Sequence, residues 1–382
     1  MLVRTPARHA LAQLGLDQGW VDTYSRTGPE RLHALAAAAG APPEPARVTR
    51  TDRGACDLVG GDGPMRATWG ADVVAAVARD PQAVPSTGDW VVVQRWPDGH
   101  RTVEVVLPRR TAVVRAQVGG TSSGQVLAAN AAVVAVVEAL HPDPDLGRVE
   151  RLMALAWESG AQPRLVLTKS DLSADGRVLA EEVAAEVGGG CPVDVTAAYL
   201  AVGDADGAQG DGLHELRAVL AGGATIALLG ASGVGKSTLL NALVGGAEVM
   251  RTQALGAVHK GRHTTVTREL HVVPGGGCVI DTPGLRSVGL VGEEGLAEVF
   301  ADVDELAADC RFGDCGHGVE PGCAVRAAVE SGDLAQRRLD SWDKLRREAT
   351  WQASRVDARL RQEQLRVWKQ RTKANRQRPA RS

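Results

Sequence analysis

The sequence predicts a multi-domain protein: an N-terminal β-barrel, a circularly permuted α/β P-loop domain, and a C-terminal zinc-binding helical domain. Three observations predict it. Residues 45–118 break into short β-like runs between Gly, Pro and Asp turns. Residues 122–297 alternate strand-like and helix-like runs, and one strand-to-helix junction reads GASGVGKS. Residues 310–323 hold three cysteines and a histidine, a density that favours metal over a disulfide scaffold.

At 382 residues the chain is too long for one small core. Its 44% hydrophobic and 23% charged content is that of an ordinary globular protein. No run approaches the roughly 18–20 apolar residues that span a bilayer. The opening stretch MLVRTPARHALAQLGLDQGW lacks the apolar core of a secretion signal, so a cytoplasmic protein without membrane contact is expected. The net charge of −3 conceals an uneven distribution. From Lys344 onward there are 13 Lys or Arg against three Asp or Glu, a pattern compatible with nucleic-acid contact through one region.

Residues 1–44 read as a helical extension ending in the linker-like GAPPEPARV. The next domain, 45–118, contains the runs RATWGADVVAAVA, STGDWVVVQRW, PDGHRTVEVVL and RRTAVVRA, which suit a small barrel or sandwich. GGTSSG at 119–124 reads as a linker. In 122–297, AAVVAVVEAL, PRLVLT, PVDV, TIALL and CVI are strand candidates. LGRVERLMALAWESG, VLAEEVAAEVG and GLHELRAVLAG are the helices between them, which implies a parallel sheet covered on both faces. Residues 298–345 surround the Cys/His cluster, and 346–382 form a basic helical tail.

The strongest motif runs from Gly230 to Thr238. Gly230, Ala231, Ser232, Gly233, Val234 and Gly235 would wrap backbone N–H groups around phosphates at a helix N-terminus. Lys236 would meet the β- and γ-phosphates, Ser237 would ligate Mg²⁺, and Thr238 completes the nucleotide-binding run. Downstream, Asp281-Thr282-Pro283-Gly284 ends a strand. Its carboxylate would face Mg²⁺ through a water, and the Gly284 N–H would sense the γ-phosphate. Between the two lies GRHTT (261–265), a polar segment suited to a switch. There Thr265, in preference to Thr264, would complete the Mg²⁺ shell when γ-phosphate is present.

Upstream of all these, LVLTKSDL at 165–172 delivers Thr168, Lys169, Ser170 and Asp171 from the end of a strand. Asp171 can accept from both the ring N–H and the amine of guanine, whereas adenine would face the carboxylate with an acceptor. Lys169 would pack along the base. Only six of the 43 basic residues are lysine, and two of those six fall in TKSD and GKS, where a slender ammonium suits the task better than guanidinium. Thr168 stands where Asn is usual, and its shorter side chain is expected to lose a contact to the base or to the phosphate loop. Thr196-Ala197, after PVDV, is a candidate second base loop. All parts of a GTPase are therefore present in a displaced order, which a parallel sheet tolerates because its packing survives rejoined termini.

These motifs resemble the circularly permuted, small-subunit-dependent GTPases of the RsgA (YjeQ) family. STGDW, VLPRR, GASGVGKSTLLNAL, GRHTT and DTPGLR carry the resemblance, over roughly residues 46–345. It implies that the barrel is an OB-fold. It also implies a late assembly factor of the small (30S) ribosomal subunit that binds 16S rRNA and cycles between GTP and GDP as a monomer.

Cys310, Cys315, His317 and Cys323 supply three thiolates and an imidazole within turn-rich sequence, as a single closed structural Zn²⁺ site requires. This spacing also matches the family's zinc knuckle. DTPGLR runs almost directly into this region, so loss of γ-phosphate would move it through a short lever. Leu285 stands where many GTPases place a water-orienting glutamine, and His263 is the expected catalytic substitute. Slow intrinsic hydrolysis, stimulated by a partner, follows. In the barrel, Arg109, Arg110 and Arg115 are expected to contact RNA, with Trp69, Trp90 and Trp96 available for stacking. Two other readings fit part of the pattern: a P-loop ATPase or nucleotide kinase, and a nucleotide-gated RNA-binding module with negligible turnover.

Overall fold

The computed structural model describes residues 10–116, 124–173, 175–187, 191–195, 213–245, 268–285, 289, 292 and 294–356. Residues 10–13 are helical, and two longer helices follow, α1 (Gln18–Arg26), capped by the Asp17 carboxylate on Trp20 N, and α2 (Pro29–Ala39), with Pro in its first turn. Leu11, Leu14, Trp20, Tyr24 and Leu32 are buried in the same core as the central sheet. This stretch is therefore no mere extension. The apolar spacing is read correctly as helical, but nothing in it tells which surface receives it.

β1 (Glu44–Asp52), β2 (Ala55–Gly60), β3 (Gly63–Trp69), β4 (Trp90–Arg95) and β5 (Arg101–Val106) close into a barrel in the order β1-β2-β3-β5-β4. Closure comes from antiparallel pairing of β4 with β1, Arg47 opposite Trp90. With α3 (Ala71–Arg79) between the third and fourth strands, this is an OB-type Greek-key barrel.

Two strand expectations are corrected. ADVVAAVA is α3, because Val73 and Val77 meet the barrel core at helical spacing while Val74 is exposed. The AVVR run, β6 (Ala112–Arg115), pairs with β7 (Gln125–Ala129) as a separate two-stranded ribbon outside the barrel. GGTSSG lies outside the described residues except for Gly124.

The central sheet contains β8 (Val133–Ala139), β9 (Gln162–Thr168), β10 (Val193–Val195), β11 (Thr225–Leu229), β12 (Glu269–Val272) and β13 (Cys278–Asp281), ordered β10-β9-β8-β11-β13-β12. All its pairings are parallel except β12 with β13. Buried on both faces, β8 alternates its loyalties. Val134 and Val136 join the core under α4 (Leu146–Glu158) and α5 (Gly176–Val187), while Val133, Ala135 and Val137 join that under α6 (His214–Ala221) and α7 (Lys236–Val244). Because β8, β9, β11 and β13 are parallel, the loops leaving their carboxyl ends share one edge.

The C-terminal part comprises α8 (Glu294–Val299), α9 (Ala301–Ala307), α10 (Ala324–Ser331) and α11 (Gln336–Val356). It docks on α4 through the fully buried Glu150, which accepts from Arg337 and Arg338 at 3.0 Å each and from Ser341 at 2.5 Å. Arg338 also clamps Asp302 with two bonds, of 2.7 and 2.8 Å. A buried carboxylate with three donors, two of them guanidinium groups, is well compensated.

Candidate nucleotide site and metal centre

The phosphate loop follows β11 and opens α7. Gly230 and Gly235 take φ of 159° and 99°. A Cβ on Gly230 would lie 2.4 Å from the Val137 carbonyl, so that position is closed to larger residues. Lys236 is 7% exposed and donates to the carbonyls of Gly230 (2.9 Å) and Ala231 (2.7 Å). Burial lowers its pKa, and the nearby Asp281 and Glu138 carboxylates oppose that shift. The ammonium thus lies inside the loop where phosphate oxygens would compete for it. Ser237 and Thr238 start the helix just beyond.

β9 carries Thr168 to the same edge. Its hydroxyl donates to Val234 O in the phosphate loop at 2.5 Å and to Glu138 O at 3.3 Å. The contact that the shorter side chain was expected to endanger on the phosphate-loop side is made. Lys169 takes φ 58° and turns the chain, leaving Ser170 half-buried and Asp171 exposed at the mouth. The order along the chain is displaced, yet TKSD and GASGVGKS touch.

β13 delivers the third part. Asp281 ends the strand with Oδ1 buried and without a hydrogen-bond partner among the described residues. Burial raises its pKa. Lys236 and His271 pull it down, and Glu269 adds to the rise. Thr282 donates to Leu228 O at 2.6 Å, fixing the turn against β11. Gly284 passes so close to the phosphate loop that a Cβ would stand 2.7 Å from Ser232 N. Leu285 is 4% exposed and its N–H binds Gly230 O at 3.1 Å, so this side chain serves the core. Thr196, Ala197, His263 and Thr265 lie outside the described residues.

Sequence reasoning missed Glu138. It is 2% exposed at the end of β8, held by Arg148 through Nε (2.9 Å) and Nη2 (2.7 Å), and its carbonyl accepts from Thr168. One charged residue in the apolar run VVAVVEAL, at the carboxyl end of a strand, was the available signal. Glu150 in α4 offered a weaker one.

The expected RNA contacts of the barrel fare differently. Arg109 is committed internally, pairing with buried Asp89 at 2.8 Å and donating to the carbonyls of Gln82 and Val84. Arg110 pairs with Asp17 and lies 4.2 Å from the centre of the Trp20 ring, and Arg115 binds Gln125. Trp90 is fully buried and has no face for a base; Trp96 stacks on His100. Arg109 and Trp90 are joints of the fold, whereas the Arg110 side chain is 43% exposed. Basic residues beside a turn look alike in sequence whether they face solvent or a buried Asp.

Near the C-terminal end, the ligand atoms of Cys310, Cys315, His317 and Cys323 lie within 4.8 Å of one another. His317 Nδ1 is 3.6 Å from Cys310 Sγ and 3.4 Å from Cys323 Sγ. Local geometry enforces this gathering. His317 takes φ 55°, the Glu320 carboxylate accepts from Gly316 N and Gly318 N, and Cys323 caps α10 by accepting from Arg326 N at 3.4 Å. N–H donation suits a thiolate, and the His317 ring is braced 5.2 Å from Trp342. The donor set fits one metal ion.

Comparison with known proteins agrees with this assembly. A model of the family described as RsgA GTPase matches residues 106–291. The chain is 47% identical over 365 residues to the small ribosomal subunit biogenesis GTPase RsgA of Streptomyces coelicolor, covering 95% of this chain and 93% of that protein. The RsgA of Streptomyces avermitilis is 47% identical over 363 residues, covering 94% and 91%. Among solved structures, YjeQ from Thermotoga maritima superposes with a TM-score of 0.55 at 24% identity, covering 79% of this chain and 97% of that one. YloQ, described as a circularly permuted GTPase, gives 0.52 at 24% identity over 79% and 93%. The two structures speak to the fold alone. Sequence identity of this level, maintained over nearly the whole length, means that the chain belongs to the RsgA GTPase family.

Proposed function

We propose that the protein hydrolyses GTP and acts in late maturation of the small (30S) ribosomal subunit. The observation that carries the guanine assignment is the 2.5 Å bond from Thr168 in TKSD to Val234 in the phosphate loop. It joins a base reader to a phosphate binder 66 residues apart in the chain. An ATPase or kinase has no need of that junction. The relatives named for small-subunit biogenesis supply the partner.

In this reading Asp171 selects guanine, with Lys169, Ser170 and the Thr196-Ala197 loop around the base. Lys236 and the loop N–H groups hold the phosphates. Ser237, Thr265 and, through water, Asp281 arrange Mg²⁺. Water attacks the γ-phosphorus, the bond to the β-phosphate oxygen breaks, and GDP and phosphate leave. His263 orients or deprotonates that water, since Leu285 serves the core. Cys310, Cys315, His317 and Cys323 hold one structural Zn²⁺. The part made of the barrel and the ribbon strand after it (45–118), the GTPase part (122–297) and the zinc part (298–345) act on 16S rRNA as domains of a cytoplasmic monomer. No helix among the described residues is long and apolar enough to cross a membrane.

Multiple-turnover hydrolysis, measured with and without purified small subunits and with ATP as competitor, tests the proposal. Slow intrinsic turnover, strong stimulation by subunits and indifference to ATP are expected. His263→Ala should cut the stimulated rate by roughly 10² to 10⁴-fold, typical of losing a general base. Equal use of ATP, or a subunit-independent rate, would point to another function.

A further inference from the structure

The loop Ser86-Thr87-Gly88-Asp89 joins the barrel to the sheet edge that carries Asp281. On the barrel side, Gly88 N donates to Val48 O and Val48 N to Asp89 O, both at 2.9 Å. The buried Asp89 carboxylate accepts from Ser86 N at 2.7 Å and from Arg109, so the loop is stiff. On the other side, Ala129 N at the end of the ribbon strand β7 donates to Thr87 O at 3.0 Å, and the Thr87 hydroxyl donates at 3.3 Å to the carbonyl of Arg268, the residue before β12. Gly88 has φ +95°, and a Cβ there would stand 2.1 Å from Ala129 O and 2.8 Å from Ile280 Cδ1. Only glycine allows that approach. Ile280 is the residue before Asp281.

A second contact runs beside the first. Arg50 on β1 pairs with Glu269 on β12 at 3.8 Å, and Glu269 lies directly across from Asp281 in the β12–β13 register. β12 is the sheet's edge strand and only four residues long. So short an edge strand takes its position largely from what packs on it. Here that is β13 on one side and the barrel strand β1 on the other.

We propose that Thr87 is a positioning residue for hydrolysis. A ligand engaging the barrel shifts the 86–89 loop, and the loop sets the β12–β13 strand pair and therefore Asp281. The inference rests on the function proposed above, since it concerns how subunit binding becomes faster turnover. It assigns to STGDW a role in coupling, with no contact to nucleotide.

The test compares wild type, Thr87→Val and Thr87→Ser for small-subunit binding by co-sedimentation, basal turnover and subunit-stimulated turnover. Thr87→Val should bind subunits and turn over alone within about twofold of wild type, while stimulation falls about 5- to 10-fold, the lower part of the usual coupling range. Thr87→Ser, which retains the donor, should restore most of it. Glu269→Gln cuts the neighbouring contact and should give a smaller loss in the same direction, even if Thr87→Val folds poorly. Full stimulation of Thr87→Val, or a loss matched by lost subunit binding or by lost basal turnover, would overturn the route alone. A wild type that subunits fail to stimulate would overturn the function proposed above and the route with it.

Discussion

At the Cys/His knuckle, every ligand atom faces another within 4.8 Å, and backbone N–H groups and the Trp342 ring hold the set in place. At the nucleotide edge the groups are equally close to one another in purpose and less satisfied in fact. Asp281 Oδ1 is buried without a donor among the described residues, Lys236 donates to carbonyls of its own loop, and burial shifts both toward neutrality. The contrast separates two ways of using polar groups. A cluster that closes on itself defines a local shape. A cluster with buried charge left over is built around something that arrives carrying charge. Substitution at the edge should therefore weaken ligand binding and leave the fold, and substitution at the knuckle should do the reverse. The following changes are ordered by expected effect on GTP affinity.

Lys236→Ala should act most strongly. Replacing the ammonium removes charge-assisted hydrogen bonds to two phosphates, so affinity should fall by about 10³-fold. Titration with a fluorescent GTP analogue measures this, and a melting curve without nucleotide should move little. A collapse of the melting midpoint would break the contrast, because it would make Lys236 a structural residue.

Asp171→Asn should come next, lowering GTP affinity by roughly 10²-fold, because one of the two acceptors becomes a donor and the remaining one loses its charge. Xanthosine triphosphate should gain, since the amide presents a donor to the xanthine carbonyl. Competition between the two nucleotides decides it, and unchanged GTP preference would remove TKSD from the base site. Thr168→Val probes the junction more gently. It leaves the buried Val234 carbonyl without its 2.5 Å donor. A neutral bond of that kind contributes about 1 kcal/mol, or roughly a 5- to 10-fold change in affinity. Thr168→Ser should preserve it, and equal affinities for Val and Ser would mean that the hydroxyl does not order the loop.

What the sequence made legible followed from how local each signal is. The phosphate loop, TKSD, DTPG and the knuckle are fixed by short-range spacing. ADVVAAVA misled because valine favours strands, while Val73 and Val77, which face the barrel core, are four apart and sit on one helical face. Arg109 misled for a different reason. Its partner Asp89 is twenty residues away, and burial of both is a tertiary fact. Helices α1 and α2 were recognisable as helices, but their place in the main core depends on Trp20 meeting Trp90 at 6.2 Å. Glu138 is a single acid in an apolar strand, and its role depends on that strand ending beneath two nucleotide loops, which is a tertiary fact.

Cys315→Ser should have the least effect on GTP affinity, within about threefold of wild type, although it should be the most disruptive locally. A tetrahedral site loses most of its hold on the metal with one thiolate gone, and small knuckles depend on metal for their fold. The segment around residues 305–325 should become open to protease, and metal analysis should fall from one zinc per chain towards none. The damage should stop at α11. That helix is docked by Arg338 on Glu150 and Asp302, and by Leu339 and Leu345 in the main core, none of which touches the metal. Trp342 makes the boundary measurable. Its ring packs 5.2 Å from His317 and is otherwise buried in that core, so its fluorescence should respond to metal loss while cooperative unfolding of the remainder persists. If GTP affinity falls as far as in Asp171→Asn, the knuckle and the nucleotide edge are one energetic unit, and the division between a shape-keeping cluster and a ligand-serving one is wrong. If freshly purified wild type carries no zinc, the donor set serves some other ion or none.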